Sequence, residues 1–206
     1  TKGIAFLRWT EAGSNHLFGN RPFLTPESLK GFPMRVQTTK SSSVYFEALK
    51  ADAVYLTSND ILPSLQTGMI NGGEAVTIFY WMTGIYKEAP HFTMTGHAIE
   101  PSSILLNKTF WDSLTDDQKT LVSTAYPGPI KARNRVREWM ARVEDDLPNL
   151  GVMLYRLNEE QRVAWTAHAE SSYPAIIESI GGAAPAIYDL VREGQAAYAR
   201  KQDQDT

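Results

Sequence analysis

A single arginine inside an apolar strand is the feature that most constrains this chain. Residues 25–31 read as a short helix that Thr25 caps and Gly31 ends, followed by a strand in which Arg35 stands between Met34 and Val36. A permanently charged guanidinium suits a carboxylate or a phosphate in a two-point pair, so such a strand is a candidate anion site. The same pattern arises when an arginine reaches the surface or pairs with a structural carboxylate. This motif by itself leaves both interpretations open.

A succession of strand, helix and strand follows and predicts an α/β domain. Residues 54–56 read as a short apolar strand, and a helix capped near Ser58 comes next. Residues 69–75 are expected to form a second strand that runs into a turn at Gly72 and Gly73. In α/β domains of this kind, ligands meet the ends of the strands.

The composition agrees with a soluble globular chain and excludes several classes of function. With 206 residues, 43% hydrophobic and 21% charged, the chain has enough apolar content for a core of one or two domains. It contains no run of 18 apolar residues, so we do not expect it to span a membrane. A net charge of −3 with scattered signs argues against binding to nucleic acid. The absence of cysteine excludes disulfides and thiolate sites.

Motifs of catalysis are missing from the sequence. The chain has four histidines, which are His16, His91, His97 and His168. Their spacing matches no metal motif such as H-E-x-x-H, and no third ligand presents itself. The sequence also lacks a G-x-S-x-G elbow, a P-loop and a dinucleotide-binding glycine fingerprint. We therefore expect no metal, no cofactor and no catalytic residue.

Four motifs, taken in order, carry a resemblance to a known family. They read TPESLKGFPMRV, then NDILPSLQTGMINGGEA, then TGH ending at His97, and NKTFWDSLTDDQ from Asn107 to Gln118. On these motifs the chain resembles the DctP-type solute-binding proteins of tripartite ATP-independent periplasmic (TRAP) transporters. The order and separation of the motifs agree with that family over most of residues 10–200.

The resemblance implies a fold and a division into domains. The fold is an α/β, periplasmic-binding-protein-like arrangement of two domains with a ligand cleft at the hinge. Residues 1–13 form a crossing strand of domain I, and residues 98–140 return to that domain. Domain II consists of a ligand-binding body, residues 14–97, and of C-terminal helices in residues 141–206. Because members of the family are longer, the resemblance also implies that the N-terminal part of domain I is absent from this sequence.

The resemblance further implies which residues contact a ligand. Arg35 matches the arginine that clamps the substrate carboxylate, and a charge-assisted hydrogen bond is worth roughly 1.5–3 kcal/mol. Ala75 stands where the family has an asparagine, so one polar contact is lost or supplied elsewhere. Asn15 stands where the sialic-acid-binding members carry a second arginine, and Ser58 stands where several members have a phenylalanine against the ligand. Both departures disfavour sialic acid. The predicted ligand-binding residues are Asn15, Arg35, Thr38, Ser58, Gly73, Glu74 and Ala75.

Two residues of this set have a structural alternative. Glu74 is either a ligand contact or an acceptor within the fold. Thr38 is able to donate its hydroxyl to a ligand, but a threonine at a strand end is also a common β-former.

The predicted function is that of a periplasmic solute receptor without catalysis. The resemblance implies that two domains close around a small organic acid and that Arg35 pairs with its carboxylate. The closed form then docks on membrane-embedded TRAP subunits. The alternative is an α/β enzyme that acts on a small carboxylate, with Glu74 or His97 as the base.

Overall fold

A six-stranded mixed sheet is the framework of the computed structural model, which describes residues 3–204. The strands are β1 (Ile4–Gly19), β2 (Pro33–Val36), β3 (Asp52–Tyr55), β4 (Gly72–Val76), β5 (His91–Asn107) and β6 (Met153–Arg156). Their order is β3-β2-β4-β1-β5-β6. β2 runs parallel to β3 and β4, and β5 runs parallel to β6, whereas β1 is antiparallel to β4 and β5. The predicted α/β class is confirmed.

The described part of the chain also forms eight α-helices. They are α1 (Lys40–Ala48), α2 (Ile61–Gln66), α3 (Thr77–Met82), α4 (Lys108–Ser113), α5 (Asp116–Ala125), α6 (Pro129–Asp146), α7 (Glu159–Ile180) and α8 (Ala184–Gln204). None of the helices within residues 3–204 is long and apolar enough to cross a membrane.

The paired strands β1 and β5 are much longer than the rest of the sheet. β4 pairs with residues 15–19 of β1, while β5 follows β1 from Gly19 back to Ile4. The far half of this two-stranded arm contacts α4 and α6. The TGH motif that ends at His97 lies inside a longer strand, because β1 continues to offer β5 an antiparallel partner as far as Asn107.

The helix ends follow local sequence chemistry. Thr115 and Asn158 each form a capping box, with Gln118 and Gln161 respectively, as expected from their spacing. In contrast, Thr25 makes no side-chain cap, and residues 26–29 form only one 3-10 turn.

Gly72 and Gly73 lie inside β4, so the predicted glycine turn is wrong at this point. A methyl group on Gly72 would overlap the carbonyl oxygen of Phe18 on β1. On Gly73 it would lie 2.8 Å from the Phe18 ring and 3.1 Å from Cβ of Arg35. β4 therefore needs two residues without side chains because its neighbours approach so closely.

The sheet separates two apolar cores. Leu17 and Phe18 are adjacent on β1 and point to opposite faces, so each anchors one of the cores. The core around Phe18 contains stacked rings, with the centroids of Tyr80 and Phe92 4.4 Å apart. The Tyr80 hydroxyl donates to the carbonyl of Ala89 at 2.8 Å. Tyr80 is therefore a core residue and does not line a cleft.

Candidate functional site

The carboxyl ends of β2, β3 and β4 meet at one edge of the sheet, where they border a cavity of about 220 Å³. Arg35 on β2 is in register with Gly73 on β4, and Asn15 on β1 is opposite Val76. Strands of this parallel set thus bring polar side chains to the edge at which α/β proteins bind ligands. The cavity is lined by Ala12, Asn15, Arg35, Gln37, Ser58, Glu74, Ala75, Val76, Phe79 and Glu100.

Arg35 supplies a buried positive charge to this cavity. The residue is 7% exposed, and its Nε donates to the carbonyl of Leu56 at 3.2 Å, while Nη1 donates to the carbonyl of Glu74 at 3.3 Å. Within residues 3–204, no acceptor binds Nη2. Burial lowers the pKa of Arg35, and the nearby carboxylates of Glu74 and Glu100 oppose that change. The guanidinium is therefore held by backbone carbonyls on one side and retains donor capacity for an anion.

Glu74 lies behind Arg35 and is fully engaged within the fold. It is 1% exposed, accepts from the backbone N–H of Gln37 at 3.0 Å, and lies 3.2 Å from Nε2 of His97. The other ring nitrogen of His97 is 2.7 Å from the hydroxyl of Thr95. Burial raises the pKa of Glu74, but its hydrogen bonds and the charge of His97 lower it more, so the net pKa lies below the usual range. A general base works best with a pKa near the working pH, so this carboxylate is a poor candidate for one.

Gln37 and Glu100 line the cavity but were not predicted from the sequence. Oε1 of Glu100 accepts from Nδ2 of Asn15 and from Nε2 of Gln37, both at 2.9 Å. Glu100 lies between the TGH motif and the motif that begins at Asn107, so no motif singled it out. These three side chains form a polar wall of the cavity.

Five of the seven predicted ligand-binding residues line this one cavity: Asn15, Arg35, Ser58, Glu74 and Ala75. The other two lie elsewhere. Thr38 is exposed beyond the end of β2, and Gly73 is buried against the side chains of Phe18 and Arg35. Contact of any of the seven with a ligand stays a prediction.

Two other cavities are mostly apolar. One of them, of about 760 Å³, lies between α7 and α8 and contains none of the predicted residues. A second cavity of about 230 Å³ lies on the other side of Glu74 and His97 and is lined mostly by apolar and aromatic groups. The described residues, 3–204, contain no group of three or more His, Asp or Glu side chains that could hold a metal ion.

Comparison with known proteins gives one family and many relatives. The family model described as "Bacterial extracellular solute-binding protein, family 7" (DctP) matches residues 1–179. The chain is 25% identical over 182 residues to the C4-dicarboxylate-binding periplasmic protein DctP of Rhodobacter capsulatus, covering 87% of this chain and 55% of the relative. It is also 25% identical over 203 residues to the ectoine/5-hydroxyectoine-binding periplasmic protein UehA of Ruegeria pomeroyi, covering 96% and 59%.

Solved structures share the fold. The periplasmic ectoine-binding protein of the TeaABC TRAP transporter of Halomonas elongata matches with a TM-score of 0.78 and 24% identity, over 91% of this chain and 62% of that one. A TRAP periplasmic solute-binding protein of Desulfovibrio salexigens with bound orotic acid matches with a TM-score of 0.82 and 20% identity, over 95% and 64%. These likenesses confirm the predicted periplasmic-binding-protein-like fold. The chain spans a little more than half the length of the curated relatives reported above.

Proposed function

Because the chain belongs to family 7 of the bacterial extracellular solute-binding proteins, we propose that it binds a small organic acid as the solute receptor of a TRAP transporter. In this proposal the acid occupies the cavity at the edge of the sheet, and Arg35 pairs with its carboxylate. Binding is not followed by catalysis. The loaded receptor then delivers the acid to membrane-embedded transporter subunits. The family is extracytoplasmic, so the receptor works in the periplasm.

The observation that carries this proposal is the placement of Arg35. A buried guanidinium costs free energy unless its donors are satisfied, and here two carbonyls satisfy only part of it. A carboxylate that accepts from the remaining donors would complete the set with a charge-assisted hydrogen bond. The cavity of about 220 Å³ beside the guanidinium gives such an anion room.

We also propose that the predicted division into domains applies. The arm formed by β1 and β5 supports it, because two continuous strands lead away from the sheet toward α4 and α6. In this division residues 1–13 and 98–140 belong to domain I, and residues 14–97 and 141–206 belong to domain II. The cavity lies where the arm leaves the sheet, since Ala12, Asn15 and Glu100 line it.

The alternative of an enzyme with Glu74 or His97 as base gains no support from the geometry. Both ring nitrogens of His97 have partners, and the carboxylate of Glu74 has a lowered pKa. The relatives reported above are binding proteins by name.

Replacing Arg35 by alanine is expected to weaken acid binding about tenfold to hundredfold, the equivalent of one lost charge-assisted hydrogen bond. The assay is a thermal-shift screen with dicarboxylates, 2-oxo acids, sugar acids and aromatic acids, followed by calorimetry on the hits. A ligand at a hundred times its dissociation constant adds about 2.7 kcal/mol of stability. We expect at least one acid to raise the melting temperature of the parent chain and to lose this effect in Arg35→Ala.

Two further variants control this experiment. Arg35→Lys keeps the positive charge but loses the planar, two-point donor geometry of the guanidinium, so it should retain part of the affinity. Arg162→Ala removes an exposed arginine from α7 and should bind like the parent. Equal binding by the parent and a folded Arg35→Ala variant, or silence toward every acid, would count against the proposed function.

Replacing Ala75 by asparagine is expected to raise the affinity for acids that also bind relatives of the family about twofold to tenfold. Ala75 lines the cavity and is buried, so an amide at this position could donate one neutral hydrogen bond. Ala75→Leu is the matched control, because it fills similar space without a donor. Calorimetric titration of both variants with the same hit checks the prediction, and a gain in Ala75→Leu alone would contradict it.

A further inference from the structure

The polar wall of the cavity contains a carboxylate that makes no salt bridge with any residue the structure describes. Oε1 of Glu100 is held by two neutral amide donors, from Asn15 and Gln37. Within residues 3–204, no lysine, arginine or histidine lies within salt-bridge distance of Glu100. Its carboxylate is thus positioned by the fold and still able to accept from a ligand.

A second unused acceptor lies beside it. Asn15 is 3% exposed, and its Nδ2 is committed to Glu100. Its Oδ1 is buried and, within the described part of the chain, has no hydrogen-bond partner. A buried acceptor without a donor is unfavourable, so a bound molecule that donates to it removes this cost.

The balance of charge in the cavity indicates what kind of donor fits. Arg35 contributes one positive charge and Glu100 one negative charge. The carboxylate of Glu74 is paired with His97 and with the backbone N–H of Gln37. A ligand that is only an acid pairs with Arg35 and leaves the carboxylate of Glu100 without a cation. An acid that also carries a cationic nitrogen adds no net charge, and its positive end can lie against Glu100.

We propose that the cavity selects zwitterionic acids, in which a protonated nitrogen with N–H donors stands near the carboxylate. This inference rests on the proposed function: Arg35 binds the carboxylate, and Glu100 together with Oδ1 of Asn15 binds the nitrogen. A plain dicarboxylate meets the same Arg35 but repels Glu100. Glu100 is then the residue that determines specificity, and Arg35 the residue that determines whether acids bind at all.

Four acids of matched size test this selection. Pipecolate carries a ring ammonium, tetrahydropyran-2-carboxylate has an oxygen in its place, and cyclohexanecarboxylate has a methylene group. 1-Hydroxycyclohexanecarboxylate offers a neutral donor instead of a charged one. Saturation-transfer NMR and calorimetry on the 206-residue chain measure all four, and we expect pipecolate to bind at least about tenfold more tightly than the other three.

Variants separate this inference from the proposed function. Glu100→Gln keeps the shape of the side chain and should reduce the preference for pipecolate to less than about twofold, with a gain for cyclohexanecarboxylate. Glu178→Gln, an exposed change on α7, should leave the preference unaltered. Arg35→Lys should weaken the binding of all four acids by a similar factor.

The possible outcomes distinguish failure of this inference from failure of the proposed function. Acids that bind in an Arg35-dependent way without any preference for pipecolate would overturn the inference and leave the receptor function standing. A preference that survives Glu100→Gln, or tight binding of the neutral hydroxy acid, would also overturn it. Binding of none of the four to the folded chain, or binding indifferent to Arg35, would overturn both.

Discussion

Replacing Gly72 by alanine is expected to lower the free energy of unfolding by about 3 kcal/mol or more, and to leave little folded protein at 37 °C. The added methyl group would overlap the carbonyl oxygen of Phe18 and lie 2.8 Å from Cα of Gly19. Both are backbone atoms of β1, so no side chain can rotate away to make room. β4 must therefore move away from β1, and the residues of β4 that line the cavity move with it.

Urea unfolding followed by tryptophan fluorescence measures this loss. Gly194→Ala is the matched control, because the same methyl group on α8 meets no atom within 4 Å. Alanine is favoured over glycine inside a helix, so this variant should gain about 0.5–1 kcal/mol. A Gly72→Ala protein with the unfolding midpoint of the parent would contradict the pairing of β1 with β4.

The same two glycines mark a limit of sequence analysis. A Gly-Gly pair between a strand and a polar residue is typical of a turn, and the prediction followed that preference. In the folded protein the pair is required by the close approach of β1, which is more than 50 residues away in the sequence and leaves no local signal. Packing against a distant strand thus outweighed local preference.

Arg35 was predictable for the opposite reason. Its strand is short, local and bounded by Gly31, so the charged residue stands out against its apolar neighbours. Strand periodicity also predicts which neighbour of Arg35 shares its side of the strand. Side chains two positions apart point to the same side, which places Gln37 and not Thr38 beside Arg35, as the structure has them.

Glu100 could not be found in this way. The segment Glu100-Pro101-Ser102-Ser103 has the composition of a loop, and only the pairing of β5 with β1 keeps it extended. Its contacts with Asn15 and Gln37 join residues 85 and 63 positions apart. When long-range strand pairing assembles a site, the sequence reveals only those site residues that break a local pattern.

Lowering the pH from 7 to 4 is expected to cost about 3 kcal/mol of stability through His16 alone. His16 is buried, and its Nδ1 accepts from the backbone N–H of Gly96 at 3.0 Å. Burial first, and then the charges of His97 and Arg156, lower the pKa of His16 from 6.5 to about 3. Between these two values the unfolded chain binds a proton that the folded chain does not, so stability falls as the pH falls. The slope is about 1.4 kcal/mol per pH unit below pH 6.5.

His16→Asn isolates this effect, because its Oδ1 can take the place of Nδ1 as acceptor but does not titrate. The variant should be less stable than the parent at pH 7, since it leaves space beside Phe92, yet lose less stability on acidification. The difference in unfolding free energy between the two proteins should therefore shrink from pH 6.5 toward pH 4. It should stay constant between pH 7 and pH 8, where this histidine is neutral in both states. Parallel curves over the whole range would mean that His16 takes up its proton inside the folded protein, and Gly96 would then need another partner for its N–H.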